Sequence, residues 1–335
     1  MNSLPLLGER DLAAPLAWRG GVAISGAQFL GEALVLAEAL PQGRPINLCQ
    51  DRYHFALGLA AALLRGQTSL MPPNALPQTL RQVPQAGGAP YLLVDDSLND
   101  DSGLPLHRVQ RPANVACVQH VPRIAAEQEA VCLLTSGSTG APQPHAKRWA
   151  PLVANIAAEA AALAALLQRP TLHGLTLVGT VPAQHSYGLE STVLLALLGG
   201  ACFDASRPFY PADITQVLQR VPAPRALVTT PFHLKTLLLA GLDLPPTALL
   251  LSATAPLSPQ LAAQAESASG GVLAEIYGCT EAGQVASRRT TAGEIWQTLG
   301  ELRISVSTVQ GQESFIVAGG HVTRSEERRV GKECA

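Results

Sequence analysis

Six small residues form one polar loop near the middle of the chain, between an apolar run at 130–134 and an alanine-rich segment. Two glycines allow backbone N–H groups to turn inward, and four hydroxyls add further donors, so the loop could cradle the phosphates of an anionic ligand. An ordinary polar turn is the alternative for this segment taken alone. The GxxxxGK[ST] spacing of a P-loop NTPase is absent, and so is the GxSxG of a nucleophile elbow, which counts against a serine hydrolase. The loop consists of Thr135, Ser136, Gly137, Ser138, Thr139 and Gly140.

A second candidate group follows another apolar run and reads Tyr277-Gly278-Cys279-Thr280-Glu281. The carboxyl end of a strand in an α/β sheet is a common place for a ligand crevice. The tyrosine ring offers a flat face for a nucleobase, the threonine a hydroxyl for a phosphate oxygen, and the glutamate a hard oxygen ligand for Mg²⁺. The alternative is that Tyr277 belongs to the core and Glu281 to the solvated surface.

Together these segments resemble the acyl-adenylate-forming superfamily, which includes acyl-CoA synthetases, aryl-acid ligases and the adenylation domains of peptide synthetases. The family motifs T-S-G-S-T-G-x-P and Y-G-x-T-E are both present, in the order that the family shows. The small-residue turn 252–257 and the segment 182–188 resemble two further family elements. The resemblance runs from about residue 46 to residue 320.

The resemblance implies a role for each segment. The 135–140 loop would hold the β- and γ-phosphates of ATP, Thr280 would contact the α-phosphate, and Glu281 would bind Mg²⁺. His185 would lie beside the reacting carboxylate, although a structural, hydrogen-bonded histidine is the alternative. The residues expected to border adenine are Ala253, Thr254, Ala255, Pro256, Tyr277, Gly278 and Cys279.

The implied activity is ATP-dependent activation of a carboxylic acid. The enzyme would form an acyl- or aryl-adenylate, release pyrophosphate, and transfer the acyl group to the thiol of an acyl carrier protein or of coenzyme A. The pocket walls are expected at 185–189, 229–233 and 253–256, which would admit aryl acids or medium acyl chains, with hydroxylated aromatic acids the first to test. A non-catalytic ATP-binding protein or scaffold of the same fold is the alternative function.

Three departures from the family pattern bear on activity. Gln143 stands where most members have a lysine, and Lys147 is the nearest candidate to replace it. The T-G-D segment, whose aspartate would hold the ribose, is not found, and the C-terminal swinging subdomain with its lysine is expected to be absent. We therefore expect the activity of this chain to be impaired.

Short apolar runs alternate along the chain with segments of helical period. This pattern predicts an α/β fold, whose strands and helices must position the candidate residues. We expect two stacked βα subdomains with mainly parallel sheets, in αβαβα layers, followed by a small β-barrel-like unit. The clearest helix is predicted at 151–168 because its alanines favour helix and Pro151 suits a first turn. Strands are expected at 46–49, 91–94, 115–118, 130–134, 175–181, 226–229, 248–252 and 272–276, and shorter ones at 294–296, 302–309 and 315–317.

A polar, proline-bearing crossing near residues 99–112 suggests a boundary between the two halves. We therefore expect a first α/β subdomain at 1–110, a second at 111–290 with the phosphate loop and adenine site, and a partial β-rich subdomain at 291–323. The charged tail at 324–335 differs from everything before it, and we expect it not to be the natural continuation of the β-rich unit.

Composition narrows the class of protein. Hydrophobic residues make up 47% of the 335 residues and charged ones 14%, which excludes disorder over most of the chain. The net charge of −2 and the lack of a basic stripe argue against nucleic acid as a partner. Six scattered cysteines indicate neither a disulfide framework nor a zinc site, and no signal peptide or membrane span is expected, so a cytoplasmic location fits best.

Overall fold

The computed structural model describes residues 2–83, 87–95, 102–112, 115–116, 118–136, 142–309 and 312–329. Two large sheets carry most of the described strands, with helices packed around them. The strands are β1 (Ser3–Pro5), β2 (Pro15–Arg19), β3 (Val22–Ser25), β4 (Arg44–Asn47), β5 (Ser69–Met71), β6 (Pro90–Val94), β7 (Leu106–Arg108), β8 (Arg123–Ala125), β9 (Glu129–Ser136), β10 (Pro142–Arg148), β11 (Thr176–Gly179), β12 (Cys202–Asp204), β13 (Arg225–Thr229), β14 (Leu249–Ser252), β15 (Val272–Cys279), β16 (Gly283–Arg288), β17 (Gln297–Thr298), β18 (Arg303–Val309), β19 (Gln312–Gly319) and β20 (Val322–Arg329). The helices are α1 (Gly26–Ala39), α2 (Arg52–Leu64), α3 (Pro77–Arg81), α4 (Trp149–Leu166), α5 (Ser186–Gly188), a π-helix (Leu189–Leu194), α6 (Leu195–Gly199), α7 (Pro211–Arg220), α8 (Pro231–Leu239), α9 (Pro259–Ser269) and a 3₁₀ turn (Thr290–Ala292).

Both large sheets are mainly parallel, as the alternation of apolar runs and helical segments predicts. The first has the strand order β10-β9-β5-β4-β6-β7, and only the β9–β10 pair is antiparallel. The second has the order β17-β16-β15-β14-β13-β11-β12-β2-β3, with antiparallel pairs only at its two ends. The expected α/β class is therefore confirmed.

One arginine ties the two sheets together. Arg52 begins α2, is buried, and donates hydrogen bonds to the main-chain oxygens of Gly179, Val181 and Ser206 and to the hydroxyl of Thr192. Burial lowers its pKa to about 10, which leaves the guanidinium charged at neutral pH. Helix α2, which follows β4 of the first sheet, is thus hydrogen-bonded to the carboxyl end of β11 in the second sheet. The candidate segment 182–188 begins shortly after that strand.

The two sheets do not divide the chain at the boundary expected near residue 110. Strands β9 and β10, at 129–148, complete the first sheet, while β2 and β3, at 15–25, form the edge of the second. The largest apolar cluster includes side chains from both sheets, such as Leu133 and Leu177. The two sheets therefore share one core.

Two expected strands are wrong. The described residues of 115–118 form no strand; this apolar segment packs on α1 instead, where the Val118 N–H bonds the oxygen of Ala27. Residues 294–296 form no strand either, and the Trp296 ring lies under the Arg288 guanidinium at 4.6 Å. In both places apolar side chains contact a neighbouring element without entering a sheet, and Ile295 remains 84% exposed.

Helix α4 is 18 residues long and apolar enough, by length and composition alone, to cross a bilayer, contrary to the expectation that no segment would be. It packs against α6 and β16. Its buried positions include Trp149 and Ile156, and also the polar residues Asn155 and Glu159. A core helix of a folded domain passes the same test of length and composition.

The β-rich unit consists, in its described part, of β18, β19 and β20 in one antiparallel sheet. The start of the charged tail lies in β20, whose backbone pairs with β19 as far as Arg329. Val317, Leu302 and Ala286 are buried between this unit and β16. The unit therefore packs directly beside the segment that carries Tyr277 and Glu281.

Candidate active site

The β9–β10 hairpin carries the first group of candidate residues. Thr135 lies opposite Gln143, and His145 and Lys147 follow on the same face because side chains alternate along a strand. The Thr135 hydroxyl is 3.1 Å from Nε2 of His145. The expectations for Gly137, Ser138, Thr139 and Gly140, and for the side chain of Ser136, fall outside the described residues and stay predictions.

The Lys147 side chain contacts the Tyr277–Glu281 motif. Its ammonium donates a hydrogen bond to the main-chain oxygen of Glu281. The pairing of β10 with β9 shifts between Lys147 and Arg148, and a bulge of this kind turns a side chain away from the regular ladder. The structure thus brings together the one lysine proposed to replace the family's usual residue and the glutamate expected to bind Mg²⁺.

The Tyr277–Glu281 motif spans the end of β15 and the tight turn into β16. The Tyr277 ring is half-buried and contacts Trp296 at 5.8 Å and Phe315 at 6.1 Å between ring centroids. The sulfur of Cys279 accepts a hydrogen bond from the N–H of Ala282 at 3.2 Å. This bond closes the turn, so that Thr280 is half-buried and the side chain of Glu281 is exposed.

The segment that contains His185 follows β11. His185 is exposed and precedes the short helix α5. Gly188 is required by close packing, since a Cβ at this position would lie 1.9 Å from the oxygen of Pro182. Gln184 donates to the main-chain oxygen of Cys49 at 2.7 Å, which fixes this segment against the first sheet.

The turn expected to border adenine follows β14. Ala253 is buried, whereas Thr254, Ala255 and Pro256 are exposed. Thr254 has a φ of +80°, in the left-handed region that a β-branched residue rarely adopts. Strain of this kind is concentrated at functional sites, which agrees with a ligand-binding role for the turn.

A cavity of about 430 Å³ opens between the hairpin, the start of α4 and the β15–β16 turn. It brings Lys147 and Glu281 together with residues that sequence reasoning did not select. Its described lining does not include His185 or Thr280. The lining residues are Glu129, His145, Ala146, Lys147, Arg148, Pro151, Leu152, Asn155, Glu190, Glu281, Ala282, Gly283, His321 and Val322.

The inner wall of this cavity is polar and buried. Asn155 and Ser186 each donate to the carboxylate of Glu190, at 3.2 and 2.9 Å. Burial raises the pKa of Glu190, while the Lys147 ammonium acts in the opposite direction. Burial lowers the pKa of His321 to about 4, and the same ammonium adds to this shift, so the imidazole is neutral at pH 7.

The cavity residues that sequence reasoning did not select have only weak signals in the sequence. Asn155 is a polar residue inside an apolar helical run, and Glu190 begins a short polar stretch before the apolar run 193–198, so both could have been flagged as buried polar groups. His145 shares the hairpin face with Lys147, but the polar, proline-containing segment reads as a loop. His321 gives no signal in the sequence.

The described residues hold no group of three or more His, Cys, Asp or Glu side chains arranged for a metal. The exposed carboxylate of Glu281 at the cavity nevertheless suits Mg²⁺, which proteins often bind through one or two carboxylates together with phosphate oxygens of the substrate. The donor set therefore fits a magnesium ion that accompanies a nucleotide.

Three known proteins illustrate what this chain is similar to. The chain is 33% identical over 174 residues to a 4-coumarate–CoA ligase of Rhodobacter capsulatus, a match that spans 51% of this chain and 43% of that ligase. ATP-bound MatB from Rhodopseudomonas palustris superposes with a TM-score of 0.73 at 17% identity, covering 97% of this chain and 70% of MatB. The o-succinylbenzoate CoA synthetase of Bacillus subtilis, in complex with ATP and magnesium, superposes with a TM-score of 0.72 at 17% identity over 92% of this chain and 69% of that enzyme.

These structural likenesses show the fold. The family follows from a sequence profile, described as AMP-binding enzyme, that matches residues 72–310. This range contains both motifs, the hairpin and every described residue of the proposed adenine site. The chain therefore belongs to the AMP-binding enzyme family, the acyl-adenylate-forming group that its two motifs resemble.

Proposed function

We propose that the protein is an ATP-dependent carboxylate:AMP ligase. The observation that carries the proposal is the bond from the Lys147 ammonium to the main chain of Glu281 at the mouth of a polar cavity. It joins the strand that follows the phosphate loop to the motif that would hold the metal. The relative at 33% identity, a CoA ligase, supports the same reaction class.

In the first half-reaction a carboxylate oxygen of the acid attacks the α-phosphorus of ATP. The bond from that phosphorus to the bridging oxygen breaks, and pyrophosphate leaves with the electron pair. The Lys147 cation and the Thr135 hydroxyl would neutralise and orient the phosphates, and Thr280 would bond the α-phosphate as charge develops there. Magnesium, held at Glu281, would supply neutralisation of the phosphate charge.

In the second half-reaction a thiolate attacks the carbonyl carbon of the acyl-adenylate, and AMP leaves. We propose coenzyme A as the first acceptor to test, because the ligase relative is named for it, with an acyl carrier protein as the other candidate. His185, exposed at the end of β11, is proposed to lie beside the reacting carboxylate, and Tyr277 with the 253–256 turn is proposed to border adenine.

The second candidate function is ATP binding without catalysis. It is favoured by Gln143, which is exposed at the position where most family members have a lysine. Trapping of the acyl-adenylate with hydroxylamine separates the two. A ligase forms a hydroxamate only when ATP, Mg²⁺ and an acid are all present. Saturable ATP binding without any hydroxamate across aryl and medium-chain acids would support the binder.

A further inference from the structure

A second cavity, of about 270 Å³, opens at the edge of the second sheet that lies opposite the candidate active site. Thr176 and Cys202, the first residues of β11 and β12, line it and are buried. The candidate site segments instead follow the carboxyl ends of β11, β14 and β15, which run in the same direction. The second cavity therefore lies at the amino ends of the strands and is separate from the site described above.

Arg10 places a guanidinium group in the wall of this cavity. Its Nη2 donates to the main-chain oxygens of Ala196 and Ala201, at 2.8 and 2.7 Å, and so caps the end of α6. Its Nε and Nη1 are buried and have no hydrogen-bond partner among the described residues. The capping role therefore accounts for only one of the three guanidinium nitrogens.

The charge of Arg10 has no counter-ion in the described parts of the chain. Burial lowers its pKa to about 10, so the guanidinium is still charged at neutral pH. The one carboxylate among the lining residues belongs to Asp11, which is exposed and accepts the N–H of Ala13 at 2.9 Å. Water could accept the free N–H groups but would not neutralise the charge, and a desolvated charge without a partner is unfavourable.

The other polar groups of this cavity also favour a negative charge. Their register places Thr176, Cys202 and Trp18 on the same face of the sheet, and Nε1 of Trp18 is a further buried donor without a partner in the described structure. Burial raises the pKa of the Cys202 thiol. The Thr176 hydroxyl, the Trp18 indole and the Arg10 charge each act in the opposite direction. These three groups would therefore stabilise an anion placed among them.

The rest of the lining is largely apolar and limits the kind of anion. Ala14, Pro15 and Pro222 line the cavity together with the half-buried Trp18 ring. The volume is smaller than that of most pockets for drug-sized ligands, so it suits a single ring or a short chain. An inorganic anion would leave the apolar walls without contacts, whereas a carboxylate with an apolar body would use both parts of the cavity.

We propose that the second cavity is a binding site for a small monocarboxylate, whose carboxylate group pairs with Arg10 and whose apolar body packs against Trp18. The site is independent of the proposed function, because it shares no lining residue with the first cavity.

The three tryptophans of the chain allow each region to be observed separately. Trp18 lines the second cavity, Trp149 begins α4, and Trp296 contacts Tyr277 of the proposed adenine site. The test records the indole N–H signals of the full chain by NMR, with isotope-labelled tryptophan, during titration with benzoate. Trp18→Phe assigns the Trp18 signal by its loss.

We expect benzoate to shift the Trp18 signal saturably. Benzyl alcohol, an uncharged analogue of similar size, should bind about tenfold more weakly or worse, because it cannot pair with the guanidinium. A non-hydrolysable ATP analogue should leave the Trp18 signal unchanged.

Variants separate the binding role of Arg10 from its capping role. Arg10→Met removes the charge and should abolish the benzoate response. Ala14→Leu keeps every donor and should abolish the response by filling the cavity, so the proposal stays testable if loss of the cap unfolds Arg10→Met. Arg225→Met is the matched control, because Arg225 also donates to main-chain oxygens, those of Val221 and Pro246, but lines neither cavity.

Loss of the response in Ala14→Leu and in folded Arg10→Met, with a full response in Arg225→Met, would support the site. Equal affinity for benzoate and benzyl alcohol would overturn it, because the charge would then have no part in binding. A Trp18 signal that responds neither to benzoate nor to hexanoate at millimolar concentrations would overturn it as well. Hydroxamate trapping tests the proposed function separately, and neither result of that assay changes these outcomes.

Discussion

The Lys147 ammonium donates a hydrogen bond to the main-chain oxygen of Glu281, although the two residues are 134 positions apart. The bond closes the gap between the hairpin of the first sheet and the β15–β16 turn of the second. Because a cation is held at the mouth of a cavity that Glu281 also lines, phosphates and a magnesium ion could be bound there together.

Replacing the lysine should weaken nucleotide binding. We expect Lys147→Ala to raise the KM for ATP about tenfold or more, since a hydrogen bond to a charged group contributes about 1.5–3 kcal/mol. Steady-state kinetics at saturating acid measures this. Lys235→Ala, at an exposed position on α8, is the control. An unchanged KM for ATP would show that Lys147 is a solvated surface charge with no role in nucleotide binding.

Replacing the glutamate should damage adenylation more than any other single change. Glu281→Ala is expected to lower the rate of adenylate formation about 10²- to 10³-fold and to change its dependence on Mg²⁺ concentration. Rates measured over a magnesium titration check this, with Glu294→Ala, at an exposed position, as the control. Full adenylation with an unaltered magnesium dependence would show that Glu281 does not bind the metal.

The bonds of Arg52 should matter for stability as well as for the site. Arg52→Met leaves buried carbonyl oxygens without donors and should lower the free energy of unfolding by about 3–5 kcal/mol. Urea denaturation measures the loss. Arg148→Met, which removes an exposed ion pair with Glu127, should cost less than about 1 kcal/mol. Similar losses for the two variants would contradict a special role for Arg52.

The buried Glu159 should make stability fall as pH rises. Its pKa is about 8 in the folded chain and near its ordinary value when unfolded, so between about pH 4.5 and 8 the folded state binds more protons. Its contribution to the free energy of unfolding therefore decreases across that range and levels off above pH 8. Glu159→Gln removes the titration, so the variant should gain stability relative to the wild type from pH 5 to pH 8.5. Parallel pH profiles of the melting temperature would show that the carboxyl group is not held neutral.

Much of the fold was predictable because its main elements have strong patterns. Strand β9 is a continuous apolar run, and α4 is rich in alanine, so both were expected close to their observed bounds. Strand β10 was missed because its sequence PQPHAKR is polar and contains two prolines. Proline is tolerated there because β10 lies at the edge of its sheet, where β9 is its neighbour among the described strands.

The candidate site was predictable where it lies in short motifs and not where it depends on distant residues. The two motifs identify Lys147 and Glu281 as candidates, but only the folded chain shows that they are in contact. Asn155, Glu190 and His321 come from α4, the π-helix and the turn before β20, and no local pattern connects them. Their association arises from the packing of both sheets around one core.

Carboxylate-dependent exchange of labelled pyrophosphate into ATP tests the central claim most directly, because it reports reversible formation of the adenylate. The measurement uses the full chain with Mg²⁺ and a panel of aryl and medium-chain acids, with and without hydroxyl groups. The account predicts exchange that requires both an acid and Mg²⁺ and is lost in Glu281→Ala. Saturable ATP binding with no exchange for any acid would contradict it.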